Sequence, residues 1–245
     1  MREVPQWRRE TTAESRRPVF VAALVVIAGQ TWVAYSLRLD PFWIFPLVSS
    51  VLLVASIAVY EGREVPGRPA RVLSFALSAV LVLANAVSLL LLARGVFVGS
   101  TLRPPMLLFA GLALWLVNLG VFALFYWELD GGGPEARAEG YRERYPDLVF
   151  PQQQADQEAL VPETWKPGFY DYLYVSLTSS LAFSPTDAMP YSRWAKFAMG
   201  CESLLSFSVL AVLVARAVNI AHGREGAVAE PVSYTHLTLP TKRIV

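Results

Sequence analysis

Five stretches of about 20 largely apolar residues, the first four separated by short polar breaks, constrain this chain more than any other feature: 19–37, 42–60, 72–92, 106–127 and 197–220. The hydrocarbon core of a bilayer is about 30 Å thick and takes roughly 20 helical residues to cross. Within lipid, each backbone N–H and C=O must be satisfied inside its own segment, which favours helices. These lengths predict an all-α, polytopic transmembrane helix bundle with five clear spans. The composition agrees, with 54% hydrophobic residues, 17% charged residues and a mean hydropathy of +0.41, outside the usual balance of soluble domains. The lipid bilayer is therefore the first expected partner, and a multi-pass place in the cell membrane the expected location.

The breaks at 38–41, 61–71 and 93–105 each hold Pro or Gly, where helices stop, so the first four spans read as one antiparallel bundle over 19–127. The loop 128–168 opens on Glu128-Leu-Asp-Gly-Gly-Gly-Pro134, a strong helix stop, and carries nine acids against four bases. Orientation follows the side richer in Lys and Arg. Arg2, Arg8, Arg9, Arg16 and Arg17, with Arg63, Arg68 and Arg71, make eight on one side, against Arg38, Arg94 and Arg103 on the other. The segment 1–18 and the acidic loop are thus expected in the cytoplasm. The polar 1–18 runs into a span-length segment without a small-residue cleavage site, so the first span is expected to stay as an anchor. Cys201 is the single cysteine, which excludes a disulfide framework and a cysteine-based metal site. No internal repeat of the kind transporters show is visible.

The tail 232–245, Val-Ser-Tyr-Thr-His-Leu-Thr-Leu-Pro-Thr onward, resembles a translated sequencing adapter and is left out of the fold reading. Removing its Lys242 and Arg243 from 21 bases leaves 19 against 20 acids, a net charge of −1. His222 is then the one native histidine.

The unit 169–231 carries most of the functional interest. Its apolar run 172–183 covers only about 18 Å as a helix, short of the bilayer core, and ends in Ser184-Pro185-Thr186-Asp187 before the last apolar helix. Length favours a sixth segment that is broken or re-entrant, whereas the charge balance favours a full span. Tyr174, Ser176, Asp187, Pro190 and Lys196 stand, without a gap, where potassium channel pore domains often have pore-helix, filter and flanking residues. The resemblance implies a pore helix, a filter and an inner helix. The filter itself departs from the pattern. A potassium filter aims consecutive backbone carbonyls at the pore axis and relies on glycines that take positive φ. Here Ala182-Phe183-Ser184-Pro185-Thr186 has no glycine, and Pro185 holds φ near −65°. Ser206 stands in place of the hinge glycine. Potassium selectivity is therefore excluded, and the cytoplasmic side assigned to this loop is opposite to that of such channels. Through Tyr126-Trp-Glu-Leu-Asp130, Gly131-Gly-Gly-Pro134, Tyr172-Leu-Tyr174, Ala182-Phe-Ser-Pro-Thr-Asp187, Met189-Pro190 and Ala215-Arg-Ala-Val-Asn-Ile220, the chain also resembles an uncharacterised family of bacterial multi-span proteins. That resemblance brings no activity with it.

Glu202 is the one acid well inside an apolar helix, and intramembrane carboxylates are costly enough to be functional candidates. It reads either as a cation or proton site facing the bundle interior or as a near-interface acid bonded to a neighbouring hydroxyl. Asp187 reads either as a helix cap or as part of an acidic ring in an oligomeric pore. Asp171 suits the first turn of a helix, where the dipole favours an acid. Gln30, Asn85, Asn118 and Asn219 are expected to bond between helices. Glu128 and Asp130 read as a solvated loop start, and Trp43, Tyr60, Trp127 and Trp194 as an interfacial aromatic belt. A catalytic Ser/His/Asp set, a phosphate loop and metal-ligand spacing are all missing, so no enzyme and no cofactor is expected. The candidates for ion contact are Ser184, Pro185, Thr186, Asp187 and Glu202. The leading expectation is a non-catalytic membrane protein with a degenerate pore-loop-like unit, as a homo-oligomer, moving monovalent cations weakly if at all, with no nucleic acid partner. A membrane scaffold is the alternative from another class, and a secondary transporter the third.

Overall fold

In a computed structural model of the chain, the described residues are 6–12, 14–38, 41, 43–61, 68–97, 104–141, 145–154, 160–163, 165–181 and 188–228. The apolar stretches become α1 (Arg17–Ser36), α2 (Ile44–Glu61), α3 (Arg68–Phe97), α4 (Pro104–Leu129) and α7 (Arg193–Val228). Two shorter helices lie between the last two, α5 (Pro134–Ala138) and α6 (Phe169–Ser180). The fold is all-α apart from one two-residue antiparallel pair, β1 (Leu148–Val149) with β2 (Met189–Pro190). Four helices, α1, α3, α4 and α7, are long and apolar enough to cross a membrane, while the apolar part of α2, Ile44–Tyr60, is shorter.

The helix α4 is the centre of the bundle, packed by α1, α3, α6 and α7. Its central position explains why Leu114, Val121, Phe122, Ala123 and Tyr126 are buried, while Val21, Val25, Val54, Leu83, Leu90 and Phe207 stay exposed on outer faces. An apolar exposed surface of this kind suits lipid rather than water.

At one end the acidic loop folds into a cap. Gly131, Gly132 and Gly133 take positive φ and turn the chain sharply out of α4 into α5, which begins with Pro134. Leu148 and Phe150 then join Trp127 and Tyr172 in one buried cluster, and Tyr141 is buried against Gly131. The N-terminal segment closes the cap from outside: Thr11 N donates to Ala138 O at 2.8 Å, and Trp7 stacks edge-on to Tyr141. Gly140, at φ 68°, lies so close to Arg8 that a Cβ would sit 2.2 Å from its carbonyl oxygen. N-terminal segment and loop therefore share one end of the bundle.

This cap sets the course of α6. The helix leaves from Gly168 at the cap, and by Met189 the chain is back there, because Val149 and Leu148 pair with Met189 and Pro190 and Tyr191 N donates to Asp147 O at 2.8 Å. The helix α7 also starts at the cap, with Trp194 edge-on to Phe125 near the end of α4. Thus α6 and α7 point the same way, and both start at the cap.

Candidate functional site

Helical spacing builds a buried polar column along α4. Asn118 and Tyr126 lie two turns apart on one face, and Asp130 follows four residues later in the turn that ends the helix. Each meets polar groups from facing elements, giving three layers about 6–12 Å apart by helix rise.

The deepest layer joins three helices. Asn85 Nδ2 on α3 donates to Asn118 Oδ1 at 2.5 Å, and Asn118 Nδ2 donates to Ser206 Oγ on α7 at 2.9 Å. The expected interhelical role of Asn85 and Asn118 is met, and Gln30 likewise donates to Leu81 O at 2.8 Å. The side chain of Asn219 lies outside the described residues.

Glu202 forms the middle layer, at 0% exposure. Tyr126 Oη donates to its Oε2 at 2.6 Å, and Ser176 Oγ, from α6, contacts its Oε1. Ser176 Oγ also donates to Leu119 O at 2.9 Å. A hydroxyl carries one proton, so Ser176 cannot fully serve both acceptors. The layer closes completely when the carboxyl carries a proton of its own and gives it to Ser176. Ser179 and Ser203 extend the same seam between α6 and α7, at 3.2 Å between hydroxyls.

The cap layer is the part that the sequence reading missed. Asp130 and Glu128 read there as a solvated loop start, yet Asp130 is 0% exposed and Glu128 5%. Asp147 N and Leu148 N donate to Asp130 Oδ1 at 2.7 and 2.9 Å, and Tyr172 Oη donates to Oδ2 at 2.6 Å. Arg137 from α5 enters between Trp127 and Tyr172, and its Nη1 donates to the carbonyls of Trp127 and Asp130 at 2.8 and 3.0 Å. Burial alone would pull the Arg137 guanidinium down, but Tyr172 and Asp130 beside it push it up, so it stays cationic. Tyr141 is pushed up by burial and then by Asp130, so its phenol stays neutral. Glu128 meets Arg16 at 3.4 Å, and Arg16 also pairs with Glu135 and lies over the Tyr60 ring at 3.7 Å. A signal was present in the sequence: three successive glycines followed by Pro force the tight turn that folds Arg137 back onto the end of α4.

Two further expectations are settled by placement. Asp171 Oδ2 accepts Gly168 N at 2.7 Å, the first-turn role read for it, while Glu14 Oε1 takes Phe169 N at 2.9 Å. Trp127, assigned to the interfacial belt, is instead fully buried with Nε1 donating to Glu14 Oε2 at 2.6 Å, whereas Trp43 is exposed as a belt residue is. Ser184, Pro185, Thr186 and Asp187 lie outside the described residues.

No family model, curated protein or solved structure matches the chain. Function must therefore come from the site itself. Among the described residues no group of three or more His, Cys, Asp or Glu could hold a metal ion. The site offers buried carboxyls, phenols and hydroxyls in layers, a set suited to holding and passing protons rather than to ligating a metal.

Proposed function

We propose that the chain is a multi-pass integral membrane protein with a cytoplasmic N-terminus, whose last unit is re-entrant, α6 entering from the cap and Met189 standing back at the cap before α7 crosses. In this reading α2 crosses as well, despite its length: Arg16 before α1 meets Glu128 and Arg71 in the first turn of α3 lies beside Gly131, so both helices start at the cap and α2 must connect the far end of one to the near end of the other. The pore-loop-like unit handles monovalent cations, and the proton is the species that Glu202 is built to hold. The observation that carries this is the hydrogen inventory around Glu202, where Tyr126, Ser176 and Leu119 O leave room for one proton on the carboxyl. Two carboxyl layers, Asp130 at the cap and Glu202 inside, then define a route of about one helical turn.

Proton movement into liposomes holding the purified full chain, followed with an internal pH dye under an imposed gradient, tests it. Wild type should acidify the lumen faster than empty vesicles, and Glu202→Gln, which keeps an acceptor but cannot exchange a proton, should fall to the empty-vesicle rate. Equal rates for wild type and empty vesicles would overturn the reading. The scaffold reading has its own support, since both Glu202 oxygens are engaged and the group is wholly buried. It predicts no flux together with a lower unfolding midpoint for Glu202→Gln.

A further inference from the structure

Where α3 begins, α4 ends and α7 begins, the cap end of the bundle opens into a cavity of about 740 Å³. That volume is in the range of small-molecule sites. Among the described residues its wall holds one cation, Arg71, and one acid, Asp147, with Tyr145, Tyr191, Ser192 and Trp194 around them.

Both charges are open to a ligand. Arg71 is exposed and has no hydrogen bond or ion pair among the described residues. Asp147 is half-buried, and its Oδ2 accepts Gly131 N at 2.9 Å. Its Oδ1 receives no donor from the described residues and is not among the buried orphan atoms, so it keeps accessible surface. The residue is pinned on both sides, Asp147 N by Asp130 Oδ1 at 2.7 Å and Asp147 O by Tyr191 N at 2.8 Å. Arg71 and Asp147 share a wall without forming an ion pair, so each keeps its charge for something placed between them. Ser192 Oγ accepts Ala195 N at 3.2 Å, which leaves its O–H to donate.

The wall has no net charge: a simple anion would meet Asp147, and a simple cation would meet Arg71. A zwitterion satisfies both. Tyr and Trp are favoured where membrane meets water, and three of them stand here at the ends of apolar helices. From the cavity, exposed apolar side chains lead along those helices. Val72 and Phe75 follow Arg71 on α3, and Phe197 lies one turn past Trp194 on α7, at 66%, 52% and 74% exposure. From the unpaired Arg71 and the open Asp147 Oδ1 in one aromatic wall beside these faces, we infer that the cavity seats the headgroup of a zwitterionic aminophospholipid. Arg71 and Ser192 take the phosphate, for which a guanidinium is well suited. Asp147 Oδ1 takes the primary ammonium, and the neighbouring aromatic rings favour a cation. Val72, Phe75 and Phe197 meet the acyl chains. The inference rests on the long apolar helices lying in a membrane, and not on proton movement at Glu202.

The test uses the delipidated full chain in mild detergent, with bound lipid counted by native mass spectrometry. Phosphatidylethanolamine is compared with phosphatidylglycerol of the same acyl chains, which keeps the phosphate and replaces the ammonium by hydroxyls. Wild type should hold phosphatidylethanolamine about tenfold more tightly, the worth of one charge-assisted hydrogen bond. Arg71→Gln should weaken both lipids. Asp147→Asn, which keeps an oxygen for Gly131 N, should abolish the preference and leave phosphatidylglycerol unchanged, whereas a merely structural role would lower both. Should Asp147→Asn fail to fold, Arg71→Gln still carries the test, since its side chain is exposed. Equal retention of the two lipids by wild type, retention that Arg71→Gln leaves unchanged, or a preference that Asp147→Asn leaves intact overturns the inference. Soluble phosphoethanolamine, followed by the rise in unfolding midpoint, separates the sources: binding as tight as that of the lipid would overturn the lipid assignment.

Discussion

At the scale of single residues, buried charge decides most outcomes. Asp130 accepts three hydrogen bonds and offsets the Arg137 charge, so Asp130→Ala leaves two N–H groups and the Tyr172 hydroxyl without their acceptor and takes away the negative charge beside the guanidinium. Breaking a buried charged network by removing one partner costs about 3–5 kcal/mol, and detergent-based chemical unfolding should show a loss of that size, with Asp130→Asn milder. Lys166 gives a pH signature. The unfolded side chain titrates near 10.4, whereas the folded one titrates at about 8. Below pH 8 both states are charged and the burial cost is fully present. Between about 8 and 10.4 the unfolded chain binds more protons, so stability rises with pH through that window. Protease protection of the loop 128–168 should increase from pH 7.5 to 10 in wild type and stay flatter in Lys166→Gln. The same slope in both would exclude Lys166 as the source.

At the scale of elements, the short helix α6 is the decisive one. Its 12 residues span about 18 Å, and the β1–β2 pair holds the returning chain at the end from which α6 left. Cysteine labelling checks this in sealed vesicles, after Cys201→Ala. Single cysteines at Tyr170 and Tyr191, both exposed, should react from the same face as one in the N-terminal segment. Reaction of Tyr191→Cys from the opposite face would replace the re-entrant course with a full span. The turn around Gly140 is a second element-level control. Its φ of 68° and the approach of Arg8 leave no room for a side chain. Gly140→Ala should cost about 1 kcal/mol or more in unfolding free energy and loosen the N-terminal segment from the cap.

For the whole molecule, the consequence is that the polar ends are not accessories to the helices. Residues 7–16 reach the loop through Trp7, Thr11, Glu14 and Arg16, and the loop in turn holds the start of α6 and, through β1, the β2 pair before α7. Removing residues 1–12 should therefore leave the bundle helical by circular dichroism but make the loop 128–168 cleavable by added protease within minutes. Unchanged resistance would show that the loop holds its shape without that segment.

The helical class, the positions of the apolar segments, the shortness of the 172–183 run and the singular status of Glu202 were all legible in the sequence, because hydrophobic length and an isolated acid are local properties. The partners of Asn85 and Asn118 were legible in kind, since a buried amide in an apolar helix has few alternatives to another helix. What the acidic loop does was not legible. Glu128, Asp130 and Arg137 look like solvent-facing loop residues in any window of sequence, and Trp127 looks like a belt aromatic. They are buried because three glycines at positive φ fold the chain back over the end of α4 and residues from 7 to 16, more than a hundred positions away, cover them. Burial and charge pairing across such separations depend on where the helices place their ends, and that only the tertiary structure decides.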